Sequence, residues 1–472
     1  MEPIIHFNST SLVKPSSSYP ANGSLLPRRI DLTPFDLQLL PAGYIQRGLL
    51  FNKPTPKQLE ELTGNSVINH LRDSLSRTLG IFTPLAGRLA ITEHRDDNTR
   101  SFYVDCNGDG AQFIDAAAPG VTVAQILEPY VPEVVYSLLP MEGVRNFEGV
   151  SKPLLVVQVT ELEDGVFVGV AVNHAIADGV AFWHFMNTWS EISRSPILSA
   201  GPHHHQELLS QPVPVFGQWF LDGIERPIRI PADSLYQRTT GTSNSAPWQV
   251  RIFHFTKESI AALKAQANAE SNSIGGNSSV SISSLQAILA LFWRSITRSK
   301  RLEAHLEKTL CNVTMNVRQR LRPQLPDKYF GNAIIIESAT ATASELLEHG
   351  LGWAAMQINK MIALQTDEEI KKKLKALVDR PPQALKLVQP ARSNITRLIF
   401  GSSPWFDVYG NDFGWGKPIT VRSGRGKALD GKIISFPGAG EHGSVDIHAC
   451  LKPEILQALE NDTEFMEAIS TL

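Results

Sequence analysis

Residues 166–173, VFVGVAVN, are apolar at nearly every position, and this run constrains the chain more than any other feature. A strand with one solvated face alternates apolar and polar side chains. A continuous apolar run is instead buried on both faces, inside a covered sheet. The run LLVVQVTE at 154–161 precedes it, joined by Leu162-Glu163-Asp164-Gly165, a hairpin signal. Directly behind it comes GVAFWHFMNTWSEI, with Phe182, Phe185, Met186 and Trp189 on one helical face. His174 to Asp178 therefore occupy the joint between a buried strand and a helix.

The chain has 472 residues, which is long for one simple core, so two domains of roughly 200 residues each are expected. Residues 194–247 are rich in Pro, Ser, Gly and His and read as a long crossover. The expected division is 1–195, a linker at 196–247, and 248–472. In the first part, KQLEELTGNSVINHLRDSLSRTLG carries Val67, Ile68, Leu71, Leu75 and Leu79 at helical spacing. In the second, QVRIFHF, TLCNVTMNV, KIISFPG and SVDIHACL read as strands. The segments KESIAALKAQANAE, SSLQAILALFWRSITRSK and the long run from Ser344 to Val378 read as helices. Strands and helices mixed through both halves predict an α/β fold with two layered sheets.

The formal net charge is -3, with Lys and Arg scattered, so nucleic acid is not an expected partner. Cys106, Cys311 and Cys450 are far apart and fit buried thiols in a reducing compartment. The adjacent His203, His204 and His205 lack a carboxylate or Cys cluster around them, and no metal site is expected. There is no G-x-S-x-G elbow, no G-x-G-x-x-G turn and no P-loop. The first thirty residues do not read as a secretory signal, and no window approaches the length of a membrane span. The terminal Ser470-Thr471-Leu472 is similar to a peroxisomal address but has Thr where a basic residue is usual. The cytoplasm is the expected location.

NHAIADG at the joint places His174 and Asp178 four residues apart, separated by small residues. Imidazole titrates near neutrality and can take a proton from a reacting group, and a nearby carboxylate can fix the ring or the loop. That pair alone fits a buried, hydrogen-bonded histidine better than a catalytic one. A second motif decides between the two. His174-Ala175-Ile176-Ala177-Asp178 and Asp412-Phe413-Gly414-Trp415-Gly416 together resemble the HxxxD and DFGWG signatures of the BAHD acyltransferases of plants. Leu32-Thr33-Pro34-Phe35-Asp36, Pro84-Leu85-Ala86-Gly87-Arg88-Leu89 and Tyr329-Phe330-Gly331-Asn332 are similar to further family segments, so the resemblance covers essentially the whole chain.

The resemblance implies two similar domains of mixed sheet flanked by helices, chloramphenicol acetyltransferase-like, with a solvent channel between them. It implies an acyl-CoA co-substrate, a small-molecule acceptor, no tightly bound cofactor and a monomer. His174 is the expected general base. Asp178 is expected to point away from the channel and to pair with an arginine of the second half, Arg294 or Arg298. Asp412, Phe413, Gly414, Trp415 and Gly416 are expected to shape the channel wall. Ser402 and Ser403 are candidates for the acyl pocket and oxyanion. Ser283 and Ser284, at a helix start, and Arg425 and Lys427, in a Gly-rich loop, are candidates for coenzyme A. An exposed cap or loop is the competing reading for these last four.

The branch that the sequence is most similar to points to acetyl transfer onto a hydroxyl of a specialised metabolite, such as a terpenoid or phenolic. Some relatives in that branch act as lyases on isochorismate-derived amino-acid conjugates. Transfer to an amine, and a binding protein that keeps the fold without turnover, complete the alternatives. The intact His174 favours transfer.

Overall fold

The run at Gly165–Val172 forms a strand buried at every residue. It is antiparallel to Leu155–Leu162 on one side and to Ile45–Asn52 on the other. Covering on both faces explains why the segment carries no polar alternation. The computed structural model describes residues 5–16, 27–195, 209–210, 212–217, 219, 222–232, 248–275, 280–300, 308–379, 396–425 and 430–469.

Two six-stranded sheets organise the chain. The first runs, neighbour to neighbour, through His6–Val13, Ala111–Ala118, Leu155–Leu162, Gly165–Val172, Ile45–Asn52 and Thr420–Ser423. The second runs through Gln249–Phe255, Val445–Leu451, Lys432–Pro437, Thr396–Ser402, Lys308–Asn316 and Ile334–Thr342. Both are mixed: Ala111–Ala118 is parallel to Leu155–Leu162, and Thr396–Ser402 is parallel to both its neighbours. A smaller sheet joins Arg29–Asp31, Thr99–Asp105, Arg88–His94 and Ile230–Pro231.

Helices Val67–Leu79 and Gly179–Arg194 pack on the first sheet. Leu71, Leu75, Leu79, Phe182, Phe185, Met186 and Trp189 enter one core with Val166, Val168, Val170 and Val172. Each such side chain contributes about 1.5–3 kcal/mol of burial. Helix Ser284–Ser299 covers the second sheet with Leu289, Phe292, Trp293 and Ile296 in a separate core.

Three expectations change. The helix read from Lys57 to Gly80 is broken: Pro56–Glu61 ends, Gly64 adopts φ 66°, and Ser66 caps a new helix at Val67. The long helical run of the second half is three helices, Ala343–Glu348, Leu351–Ala363 and Asp367–Asp379. The chain also does not divide cleanly at 248. Thr420–Ser423 pairs with Ile45–Asn52, and Phe413, Trp415 and Val421 join the core of the first sheet. Conversely, Phe35 enters the core of the second. Among the described residues, no helix is long and apolar enough to cross a membrane.

Candidate active site

His174 lies two residues beyond the end of the buried strand, and its main chain is held from both sides. Its N–H donates to Asn146 Oδ1 at 2.7 Å, and its carbonyl accepts from Asn332 Nδ2 at 2.8 Å. Asn146 is itself fixed to Leu39 O, and Asn332 to Asp36 Oδ1 at 2.9 Å. The preceding Asn173 folds the turn, with its Oδ1 accepting from Ala175 N at 3.0 Å. The imidazole is free of this scaffold. His174 keeps some exposed surface, while its Nδ1 is buried and makes no hydrogen bond of ordinary geometry, with the His174 and Ala177 carbonyls nearby. Burial pushes the ring below its ordinary value, and the Arg47 charge adds to this. The carbonyls of His174 and Ala177 and the Asp178 carboxylate act in the other direction. The net shift is downward, which favours the neutral form that can accept a proton.

Asp178 does two jobs at once. Its Oδ1 accepts from Val180 N and Ala181 N at 3.0 and 3.1 Å, capping helix Gly179–Arg194. It also forms a fork with an arginine of the second half, but that arginine is Arg318. Arg318 Nη1 reaches Oδ2 at 2.6 Å and Nη2 reaches Oδ1 at 3.0 Å. Ala333 N adds a third donor from the second half, at 3.0 Å.

The expected partners lie elsewhere. Arg294 binds Leu346 O, His349 O and Glu464, and Arg298 binds Asp462 and Glu464. Their helix packs toward the C-terminal helices. Arg318 instead follows the strand Lys308–Asn316, whose end reaches the joint.

Asp412 Oδ1 accepts from Gly414 N at 2.8 Å and Gly416 N at 3.0 Å, folding DFGWG into a closed loop. Gly414 and Gly416 have φ of 113° and 128°, which L side chains resist. Phe413 O accepts from His70 Nε2 at 2.9 Å, and the Phe413 ring lies 4.8 Å from Trp189. Trp415 packs 5.3 Å from Phe51. The loop is thus built into the first core, and no hydrogen bond or ring contact joins it to His174 among the described residues.

Just upstream, a Cβ added to Gly179 would come within 3.1 Å of the Phe406 ring, so the segment after Ser403 touches the first turn of the site helix. Ser402 ends its strand opposite Ser435, and its side chain lies outside the described residues. Ser403 Oγ accepts from Trp405 N at 3.2 Å within its own turn.

Ser283 caps helix Ser284–Ser299 in a reciprocal box with Gln286, and Ser284 is the first helical residue. Arg425 pairs with Glu133 and lies 4.0 Å over the Tyr136 ring. Lys427, the three histidines at 203–205 and the terminal Ser470-Thr471-Leu472 lie outside the described residues.

Sequence reasoning missed Asn146 and Arg318 as site residues. Asp36 and Asn332 were within reach, since both lie in segments that resemble the family.

Comparison with known proteins gives the family. A family model described as the Transferase family matches residues 4–466. An uncharacterized acetyltransferase of Arabidopsis thaliana is 41% identical, over 98% of this chain and 99% of its own length. The BAHD acyltransferase DCR of the same plant is 32% identical over 93% of this chain and 88% of its own. The fold is similar to that of TRI101 of F. sporotrichioides, complexed with coenzyme A and T-2. The TM-score is 0.70, with 18% identity over 93% of this chain and 98% of that one. The chain belongs to the BAHD family of acyl-CoA-dependent acyltransferases.

Proposed function

We propose that the enzyme transfers an acyl group, and specifically acetyl, from coenzyme A to a hydroxyl of a plant specialised metabolite, with His174 as general base. The observation that carries this reading is a partly exposed His174 at the strand-to-helix joint, on a main chain clamped by Asn146 and Asn332. The acetyl preference draws on the similarity to the Arabidopsis acetyltransferase.

In this reading the acceptor oxygen attacks the thioester carbon while its proton passes to the imidazole. The tetrahedral oxyanion collapses, the C–S bond breaks, and the departing sulfur takes the proton back from the imidazolium. The acceptor gains the acyl group, free coenzyme A leaves, and no acyl-enzyme forms. Asp178 does not relay charge; it holds the first turn of the site helix against Arg318.

The test is release of free thiol from acetyl-CoA mixed with a panel of alcohols. Acceptor-dependent release that disappears in His174→Ala supports the reading. Release that is unchanged in that variant, or absent with every donor and acceptor, overturns it.

A further inference from the structure

Two half-buried cations stand between the sheets without a carboxylate. Arg47 lies on the strand Ile45–Asn52, opposite Val170 of the strand that leads to His174. Alternation puts it on the face of Ile45, Leu49 and Phe51, which belong to the first core. Lys432 lies on the second sheet and shares a face with Ile434 and Phe436, members of that same core. The Arg47 guanidinium sits 5.2 Å from the Phe436 ring.

A short chain of hydrogen bonds ties the two cations together. Arg47 Nη1 donates to Gln46 O at 2.8 Å, Gly424 N donates to the same oxygen at 3.2 Å, and Lys432 Nζ donates to Gly424 O at 3.4 Å and Arg425 O at 3.1 Å. Neither cation has an acidic partner among the described residues. Nearby acids pair with other groups, Asp446 with His254 and Asp430, through Oδ2 alone, with Lys300. The neighbouring Arg422 is saturated by Ile126 O, Val421 O and Thr420 Oγ1. Two shielded positive charges without a counter-ion are costly, and a ligand anion removes that cost. Burial pushes Lys432 down to about 8, with Arg47 adding to the shift, and burial pushes Arg47 to about 10.

We propose that Arg47 and Lys432 bind a carboxylate of the acceptor, which makes the acceptor a hydroxy acid. This rests on the acyl-transfer reading for the word acceptor. A carboxylate suits Arg47, whose planar fork donates to Gln46 O and leaves its other N–H groups for a ligand. The location suits the acceptor better than the donor. Arg47 pairs with Val170, four residues before His174, where the attacking hydroxyl belongs in the proposed reaction, whereas the phosphates of coenzyme A lie a whole pantetheine arm from the thioester.

The experiment measures binding without acyl-CoA, by calorimetry, of 4-hydroxybenzoate, 4-coumarate, shikimate and malate, each beside its methyl ester. At least one acid binds wild type about tenfold or more tighter than its ester. Arg47→Gln and Lys432→Met abolish that preference. Lys432→Met also raises the unliganded Tm, because an uncompensated charge is removed.

Equal affinity for acids and esters, or no binding of any acid, overturns the proposal. So does a preference that survives both substitutions, or one that survives while binding of coenzyme A weakens. Because thiol release plays no part, a chain that binds hydroxy acids yet never acylates them refutes acyl transfer and leaves the carboxylate site standing.

Discussion

Asp178 and Arg318 form a two-pronged ion pair across the two halves, at 2.6 and 3.0 Å, with relative exposures of 0% and 2%. The carboxylate also caps the site helix, so the start of that helix and the end of the strand Lys308–Asn316 are one rigid unit.

Asp178→Ala strands a guanidinium in the interior and removes a cap. Breaking one side of a buried pair costs about 3–5 kcal/mol, and cap loss adds about 1 kcal/mol. The expected result is a large fall in Tm with a loss of kcat. Asp178→Asn keeps the cap and recovers part of the Tm. Thermal unfolding of the two variants side by side checks this.

His174→Ala behaves oppositely. The bonds to Asn146 and Asn332 use the main chain of residue 174 and survive truncation. Activity is expected to fall by about 10²–10⁴ with Tm unchanged. Thiol-release kinetics and calorimetry on the same preparation separate the two effects.

The pH profile follows from the direction of the His174 shift. Burial lowers the imidazole below its ordinary 6.5, so the base form predominates at neutral pH. The kcat/KM is expected to be level near pH 7 and to fall only at acid pH, with an apparent value under 6.5. A limb centred above 6.5 contradicts the burial argument.

Asp36 offers a stability readout. Burial raises its carboxyl from 3.8 to about 6, against hydrogen bonds from Thr33 and Asn332. The folded state therefore holds this proton more tightly than the unfolded chain, and stability from this group is gained as pH falls from about 6 to 4. It is fully absent above pH 7. A shift of about two units corresponds to roughly 3 kcal/mol. The gap in unfolding free energy between wild type and Asp36→Asn should move in favour of wild type across that window.

Gly414→Ala places a Cβ on backbone at φ 113°. The strain costs about 1–3 kcal/mol and loosens the loop that Asp412 closes. A lowered Tm with normal binding of coenzyme A is the expected outcome, read by calorimetry.

The strand-to-helix joint was legible because its residues obey local rules: a run without polar alternation, then apolar residues on one helical face. The remaining gaps have physical causes. Ile334–Thr342 reads IIIESATAT, an edge strand whose small and polar residues carry little pattern. Thr420–Ser423 is four residues long and owes its existence to pairing with a distant partner. Arg318 could not be told from Arg294 and Arg298, since an arginine's partner is set by which sheet end it reaches. Asn146 carries no local signal at all, as its role is to bond a main chain twenty-eight positions onward.

The crossing of Thr420–Ser423 into the first sheet has a practical corollary. Any attempt to express residues 1–195 alone would leave the Ile45–Asn52 edge with bare amide and carbonyl groups, an invitation to self-association. Chimeras between relatives must therefore transplant the 405–425 excursion along with the amino-terminal portion, because the modular unit here is discontinuous in sequence.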